Sequence, residues 1–358
     1  MHVGVSFSFQ NLAGLSDREV YKGEVGLADM VEGLGFDSIW TAEHHFADYV
    51  MSPDVLQFLT YMAGRTSRAK LGSMAVILPW HDPVRVAEGV ALLDLLSDGR
   101  AVFGIGRGLA RDEFDGFRVP MGESRQRFVS YAGPIVRALE TGVIEADDPF
   151  YAQPARKIRP WSGNNFKGRL YAASISQASG EILAKLGAGL LIIAQKPWEK
   201  TIAEAENYRN IYRKINGEEA PKPILCTWMA CAETEDEAHA MHLQYTRRYS
   251  EAIFDQYEFG NNEFSSINGY EYYAKLAKTI EKHGRDSFID FLADLQVYGT
   301  PDQVVDQIIE RVEKIDAGSL VLSFSHGGMP YEMAGKQMKL FSEKVLPKLK
   351  KYDTGMFL

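Results

Sequence analysis

The sequence is poor in cysteine. Only Cys226 and Cys231 occur among its 358 residues, and both lie in the apolar run 224–232. If this run is a strand, their odd separation sends the two side chains to opposite faces, so we expect no disulfide between them. No zinc-type cysteine set and no carboxylate–imidazole motif accompanies them, and we therefore expect no metal site.

The sequence also lacks long apolar runs and an excess of positive charge. Its apolar runs, such as 190–194, are far shorter than the roughly 20 residues of a membrane-spanning helix. It has 39 Lys and Arg residues against 48 Asp and Glu residues, a formal net charge of −9. This balance disfavours a surface that binds nucleic-acid phosphates. The first residues are strand-like and do not form a secretory signal, so we expect a cytoplasmic protein with neither nucleic acid nor membrane as a partner.

Short apolar runs alternate with longer amphipathic segments along the whole chain. The runs that predict strands are 3–9, 38–42, 70–78, 101–106, 170–174, 189–194, 224–232 and 319–325. The helical patterns are 16–34, 53–66, 83–96, 124–142, 176–186, 197–216, 234–257, 268–283, 301–317 and 331–349. Continuous apolar strands that alternate with helices indicate a parallel sheet covered by helices, and eight such strands favour a closed (β/α)₈ TIM barrel in the α/β class.

A doubly wound sheet is the alternative architecture. It would carry a dinucleotide fingerprint in the first strand–helix turn, followed about twenty residues later by an acidic residue. Residues 9–14 do not supply one, and the glycine-rich run 104–108 comes after the fourth strand without the full spacing. The sequence therefore predicts one barrel domain, 1–358. Segment 147–168 fits the alternation poorly, and segment 259–299 is long enough to be a lid inserted before the last strand, although a surface ornament is an equal alternative.

Ionisable side chains follow the second predicted strand. Glu43, His44 and His45 come where that strand ends, and the carboxyl ends of barrel strands carry the catalytic groups. Neighbouring strand side chains point apart, so the two histidines are not expected to share a metal ion. His44 is a candidate acid–base group, and the alternative is a histidine that only completes a polar network.

Two arginines and two serines follow the fourth and fifth predicted strands. Arg107 lies between two glycines, Arg125 lies near a helix start, and Ser176 and Ser179 begin another helix. Helix starts expose N–H groups and favour anions, so these residues form a plausible phosphate clamp. The alternative is that the serines cap helices and the arginines make surface ion pairs.

Several motifs in this order resemble the bacterial luciferase-like flavin-dependent monooxygenase family. They are WTAEHHF at 40–46, VILPWHDPVR at 76–85, LLDLLSDGR at 92–100, FGIGRGL at 103–109 and MKLF at 338–341. The resemblance covers nearly the whole chain. It is closer to the family's catalytic subunit than to its non-catalytic partner, because His44 and the Arg107 motif are both present.

The resemblance implies a TIM barrel that binds reduced FMN, supplied by a separate flavin reductase, and that uses O₂ through a flavin peroxide. It implies that His44 is the catalytic imidazole and that Arg107, Arg125, Ser176 and Ser179 hold the FMN phosphate. Relatives have a non-prolyl cis peptide at the position of Met74 and Ala75. Two positions depart from the luciferase pattern: Gly106 replaces a reactive cysteine, which weakens any claim of light emission, and Ile175 replaces a glutamate and could contribute only its backbone N–H to the phosphate.

The resemblance further implies a small apolar substrate, such as an aldehyde, a ketone or a terpene. Five side chains are candidates to shield the reaction from water, although each could be ordinary core: Phe7, Trp40, Phe46, Leu109 and Phe114. A homodimer is expected through the helices predicted at 53–66 and 83–96. Two alternatives stay open, a deazaflavin-dependent hydride-transfer enzyme and a non-catalytic flavin-binding or partner subunit.

Overall fold

Eight parallel strands close into a barrel in a computed structural model of the protein. The structure describes residues 1–173 and 177–355. Around the barrel the strand order is β1–β2–β3–β5–β8–β9–β10–β12, and pairing of β12 with β1 completes the ring. The predicted TIM barrel is confirmed, and the bounds of its strands are β1 His2–Phe7, β2 Ser38–Thr41, β3 Lys70–Ser73, β5 Ala101–Gly106, β8 Leu170–Ala173, β9 Gly189–Ile193, β10 Ile224–Cys231 and β12 Ser319–Ser323.

Four further strands lie outside this ring of eight. β4, Val76–Ile77, continues the path of β3 and pairs with the end of β5. β6, Val143–Asp148, and β7, Tyr151–Lys157, form an antiparallel hairpin. β11, Val297–Gly299, extends the sheet beside β10.

Helices cover the barrel. Their bounds are α1 Asp17–Ala28, α2 Met30–Gly33, α3 Val55–Ala63, α4 Pro83–Leu96, α5 Arg111–Phe117, α6 Ser124–Thr141, α7 Gln177–Lys185, α8 Trp198–Asn216, α9 Glu235–Met241, α10 Arg247–Gln256, α11 Glu271–His283, α12 Arg285–Asp294, α13 Pro301–Ile315, α14 Tyr331–Lys344 and α15 Leu346–Lys351. Short 3₁₀ turns occupy Leu78–Trp80, Met121–Glu123 and Asn262–Ser266, and a π-helical turn at His242–Thr246 joins α9 to α10.

Side chains alternate across the barrel wall. Val3, Val5 and Phe7 of β1 point outward into the core between strands and helices. The interior cluster consists of Trp40, Val102, Tyr171, Leu191, Ile224, Cys226 and Val321. Cys226 therefore lies inside the barrel and Cys231 in the outer core, as their odd spacing predicts, and both are free thiols.

The buried ring of Trp40 fills the barrel interior because its neighbours are glycines. A Cβ added to Gly72 would come within 2.2 Å of the ring, and one added to Gly4 would come within 2.8 Å of the indole nitrogen. The indole N–H donates to Ser38 Oγ at 2.7 Å. The glycines thus admit a side chain that closes the barrel beneath the site.

The helix α4 begins and ends as the sequence predicts. Asp82 caps its first turn by accepting from the N–H groups of Val84 and Arg85, and Pro83 occupies the first helical position. The predicted helix 234–257 is correct in extent, but the π-helical turn interrupts it. The hairpin β6–β7, the helices α5 and α12 and the strand β11 were not predicted, because their sequences are short and largely polar or irregular in pattern.

Residues 259–299, predicted to be a lid, form the 3₁₀ turn Asn262–Ser266, the helices α11 and α12 and the strand β11. Phe264 and Tyr270 of this segment are buried against Phe114 and Met121, which follow β5. Its second half packs into the body of the protein, where Ile289 and Leu292 are buried. Only the first half therefore lies over the loops at the carboxyl ends of the strands.

In the described parts of the chain, no helix is both long enough and apolar enough to cross a membrane. Within the same residues, no three His, Cys, Asp or Glu side chains are grouped so that they could hold a metal ion.

Candidate active site

A cleft opens at the carboxyl ends of the barrel strands. Including its open mouth, it holds about 1120 Å³ of space free of protein atoms. Its wall combines apolar side chains with ionisable ones, among them Glu43, His44, Ala75, Ile77, Arg107, Leu109, Leu191, Ile193, Gln195, Lys196, Tyr257 and Tyr273. An apolar cleft with a few convergent polar groups is the usual form of a small-molecule site.

His44 is held between a carboxylate and a phenol. Its Nδ1 lies 2.8 Å from Oε1 of Glu113, and its Nε2 lies 3.2 Å from the hydroxyl of Tyr257. A carboxylate oxygen accepts, so the tautomer that matches this contact carries its proton on Nδ1 and has Nε2 as the acceptor. The imidazole is therefore oriented with its second nitrogen available for proton transfer.

Glu113 is fully buried on α5. Its Oε1 accepts a second hydrogen bond, from the backbone N–H of His45 at 2.8 Å, and its Oε2 has no hydrogen-bond partner among the described residues. A buried carboxylate with an open acceptor site can take a further donor from a bound ligand or a water molecule. Sequence reasoning missed Glu113 and Tyr257, because nothing in the pattern around them differs from an ordinary helix surface.

Glu43 makes hydrogen bonds with a different set of residues from His44. Its carboxylate accepts from His81 Nε2 at 2.6 Å, from His45 Nε2 at 3.2 Å and from the N–H of Ile77 at 3.0 Å. Burial raises the pKa of Glu43, but the hydrogen bonds from His45 and His81 outweigh it and the net pKa is lowered. Burial lowers the pKa of His81, and Glu43 more than restores it, so the net pKa is raised. This ion pair fixes the segment that follows β3.

That segment contains the Met74–Ala75 peptide bond, which is cis as expected from the sequence. Both residues line the cleft. The N–H of Met74 donates to the carbonyl of Thr41 at 2.8 Å, and the Cys226 thiol lies 3.0 Å from the sulfur of Met74. The bond is thus held between Thr41 at the end of β2 and Cys226 near the start of β10.

Arg107, Arg125 and Ser179 meet at a smaller hollow, of about 430 Å³ including its opening. Arg107 and Ala173 line both this hollow and the cleft, so the two spaces adjoin. Three of the four predicted phosphate ligands are therefore brought together near the beginning of α7. The predicted contributors Ile175 and Ser176 lie outside the described residues.

Arg107 also contacts the segment predicted to be a lid. Both of its terminal nitrogens donate to the carbonyl of Gly269 at 3.1 Å, and its guanidinium lies 4.3 Å from the ring centre of Tyr270. The Tyr270 hydroxyl donates to the carbonyl of Gly108 at 3.1 Å and lies 3.0 Å from Ser124 Oγ. These contacts connect residues 269–270 to the loop that carries Arg107.

Of the five aromatic or aliphatic side chains proposed to shield the reaction, Leu109 lines the cleft. Phe7 points outward and packs on Phe58, with ring centres 6.5 Å apart, and Trp40 lies in the interior cluster beneath the site. Phe114 belongs to a separate cluster under the lid segment, and Phe46 is 67% exposed. These four positions need correction. Phe7 was misplaced because a strand buried on both faces gives no sequence sign of which face points inward. Phe46 and Phe114 lie outside the barrel strands, where the tertiary fold alone decides what they face.

A sequence model of the family described as luciferase-like monooxygenase matches residues 1–317. The chain belongs to the luciferase-like monooxygenase family. This luciferase-like monooxygenase is 27% identical to the alkanal monooxygenase alpha chain of Photobacterium leiognathi over 356 residues, which covers 97% of this chain and 98% of the relative.

Solved structures of other proteins share the fold of this luciferase-like monooxygenase. The monooxygenase RslO1 from Streptomyces bottropensis superposes with a TM-score of 0.82 at 25% identity, covering 98% of this chain and 100% of that one. The oxygenating constituent of 3,6-diketocamphane monooxygenase from Pseudomonas putida, in complex with FMN, superposes with a TM-score of 0.73 at 17% identity. The match covers 97% of this chain and 98% of that one. A coenzyme F420-dependent tetrahydromethanopterin reductase from Methanopyrus kandleri superposes with a TM-score of 0.67 at 17% identity. The match covers 97% of this chain and 99% of that one. The last two likenesses show the fold alone.

Proposed function

We propose that this luciferase-like monooxygenase uses reduced FMN and O₂ to oxygenate a small, mainly apolar organic compound. The observation that carries the proposal is one continuous site, with Arg107, Arg125 and Ser179 at one end and His44 at the other. A separate flavin reductase supplies the reduced FMN, consistent with a sequence that has no dinucleotide fingerprint.

The residues at the site fit FMN. Two guanidinium groups, a hydroxyl and the beginning of α7 suit a phosphate, because arginine and helix N-termini both favour that anion. The adjoining cleft is apolar at Ile77 and Leu109, which suits a ring system. Gly106 keeps this wall open, since an added Cβ would lie 2.8 Å from Ile77 Cδ1 and 3.4 Å from the Ala75 Cβ. When bound and reduced, FMN would supply two electrons to O₂, so that one oxygen atom enters the substrate and the other leaves as water.

The side chain of His44 holds a proton in place and transfers it. With Nδ1 bound to Glu113, the Nε2 atom of His44 can accept a proton from a reacting group and return it. Tyr257 keeps that nitrogen oriented until substrate arrives, because its hydroxyl lies 3.2 Å away. Burial raises the pKa of Tyr257, so the phenol stays neutral and serves as a hydrogen-bond donor.

The segment 259–299 acts, at its first half, as a lid that excludes water. Tyr273 of α11 lines the cleft, and Gly269 and Tyr270 contact Arg107 and its loop. Water exclusion matters because activated oxygen is otherwise lost as hydrogen peroxide. The lid therefore determines how much of the O₂ consumed reaches the substrate.

The protein forms a homodimer through α3 and α4. α4 exposes Leu92, Leu95 and Leu96, of which Leu96 is 56% exposed, and α3 exposes Tyr61. The three leucines recur at helical spacing and share one face of α4. Contiguous apolar surface of this kind marks a protein–protein contact.

The experiment that tests this function supplies the purified chain with FMN, a flavin reductase and a panel of apolar compounds under isotopically labelled O₂. Mass spectrometry should find a product that contains one labelled oxygen atom. The His44→Ala variant should bind FMN but release hydrogen peroxide in place of product. Hydride transfer from a reduced deazaflavin, without O₂ consumption, would contradict the proposal, and so would inactivity of the single chain that a second subunit restores.

A further inference from the structure

A second cavity lies beyond His44, deeper in the barrel. It shares His44, Met74 and Tyr257 with the cleft, and its space is about 570 Å³ including the opening. We call it the inner cavity. Because it meets the cleft at His44, a molecule in the inner cavity would present one end to the catalytic imidazole.

Aromatic rings form one wall of the inner cavity. Tyr49 and Tyr249 are stacked, with ring centres 5.8 Å apart and hydroxyls 2.9 Å apart. The Trp228 ring lies 4.5 Å from that of Tyr249. Burial raises the pKa of both tyrosines, so they remain neutral. Such a wall offers flat faces and ring edges to a ligand that is itself flat.

Serine side chains form the neighbouring part of the wall, because the strand β12 alone separates β1 from β10. Ser6 and Ser8 point into the barrel from β1 and the residues after it, and they are only 5% and 6% exposed. Among the described residues neither side-chain hydroxyl has a hydrogen-bond partner. Both serines line the cavity, so their hydroxyls can form hydrogen bonds with a ligand that carries a polar atom.

The floor of the inner cavity is closed. Cys226 and Val321 line it and belong to the interior cluster, in which Trp40 and Tyr171 are fully buried. The barrel axis is therefore filled below the cavity. A long aliphatic chain has no channel along which to extend, whereas a compact ring system needs none.

We propose that the inner cavity is the substrate site, and that the substrate is a planar aromatic compound with a hydroxyl or carbonyl group. The ring packs against Trp228 and Tyr249, and the polar group bonds to Ser6 and Ser8. The cavity's role as a substrate site rests on the proposed oxygenation at His44. The preference of the cavity among ligands does not depend on that oxygenation, because binding can be measured without flavin.

Isothermal titration calorimetry on the flavin-free protein tests this preference with three probes. 1-Naphthol has a hydroxyl, 1-methylnaphthalene has a methyl group in its place, and decanal is a long-chain aldehyde. We expect 1-naphthol to bind about tenfold more tightly than 1-methylnaphthalene, the difference that one or two hydrogen bonds make, and more tightly than decanal. Equal binding of the two naphthalenes, or tighter binding of decanal, would overturn the proposal.

The double variant Ser6→Ala with Ser8→Ala tests whether these two serines bind the polar group of the ligand. It should remove the preference for 1-naphthol and leave 1-methylnaphthalene unaffected, while Ser67→Ala on the exposed surface should change neither. A preference that survives in the double variant would overturn the assignment to these serines. If the double variant does not fold, the affinities of the native protein for the three probes still show whether the cavity prefers a planar ring with a hydroxyl group. Failure of FMN binding or of O₂ incorporation would overturn the proposed function and leave these titrations unchanged.

Discussion

The Nδ1 atom of His44 lies 2.8 Å from the Oε1 atom of Glu113, which is buried on the helix α5. The pair joins the loop after β2 to the helix α5 after β5. The same carboxylate oxygen accepts from the N–H of His45, so it fixes the backbone as well as the ring. Glu113 is therefore a positioning residue, which sets the tautomer and direction of the imidazole.

Glu113→Gln should lower the rate of oxygenation, by about 10- to 100-fold if Glu113 orients His44 as strongly as carboxylates orient metal-bound histidines. The amide can still accept from Nδ1, but it carries no charge to stabilise a protonated ring. FMN affinity should stay unchanged, and hydrogen peroxide release should rise. Glu113→Asp should restore part of the activity, and Asp115→Asn, exposed on the same helix, should have no effect. Equal losses of FMN binding and activity would show a structural role only.

Arg107→Ala should weaken FMN and spare riboflavin. An arginine–phosphate hydrogen bond contributes about 1.5–3 kcal/mol, so FMN affinity should fall roughly 10- to 150-fold. Riboflavin has no phosphate and should bind as before. Fluorescence titration with both flavins measures the difference, and Arg137→Ala, exposed on α6, is the control. If both flavins weaken equally, the assignment of Arg107 to the phosphate is wrong.

The sequence predicted the barrel because its strands are buried on both faces and read as continuous apolar runs. The start of the helix α4 could be predicted because Asp82 and Pro83 mark it. Continuous burial is also why Phe7 was assigned to the wrong side, because an apolar residue fits either face of such a strand.

Part of the site could be predicted from the position of its residues relative to the strands. His44 and Arg107 follow strands directly, and the carboxyl ends of strands converge in a barrel. Glu113 and Tyr257 reach His44 from helix α5 and from the end of α10, so only the tertiary fold brings them together.

Tyr270→Phe should increase the leak of hydrogen peroxide. The substitution removes the hydroxyl contacts with Gly108 and Ser124 but keeps the ring beside Arg107. Each lost hydrogen bond costs about 0.5–1.5 kcal/mol, which favours opening of the lid. The ratio of peroxide to product, measured at saturating FMN, should rise. The neighbouring Tyr272→Phe should leave it unchanged, and an unaltered ratio in Tyr270→Phe would argue against the lid.

Leu96→Glu together with Leu92→Glu should convert the proposed homodimer into a monomer. Charge on this exposed face of α4 opposes burial against a second copy, because an unpaired carboxylate is costly to desolvate. Sedimentation velocity at micromolar concentration measures the change. Leu243→Glu is the matched control, since Leu243 is 52% exposed in the π-helical turn between α9 and α10. A native protein that is already monomeric would contradict the assignment.

Glu24 makes the stability of the fold sensitive to pH. Burial raises its pKa from 4.5 to about 7, even though Ser325 Oγ donates to Oε1 at 2.6 Å. The folded state thus holds this proton more tightly than the unfolded chain. The stabilisation is fully present below about pH 4.5 and is lost as the pH rises to about 7, a difference of about 3 kcal/mol.

Glu24→Gln should remove this dependence. Above pH 7 the variant should be more stable than the native protein, because it buries no carboxylate. Chemical denaturation at about pH 5 and about pH 8 measures both free energies of unfolding, and the exposed Glu140→Gln should follow the native protein. Parallel pH dependence in Glu24→Gln and native protein would refute the assignment.

The central claim is that the site between His44 and Arg107 directs oxygen from O₂ into an organic substrate. A single turnover of the chain loaded with reduced FMN, under isotopically labelled O₂, tests it most directly. The account predicts one labelled atom in the product of the native protein and its loss, with labelled hydrogen peroxide instead, in His44→Ala. Product that forms without label, or label that enters product equally in both proteins, would contradict it.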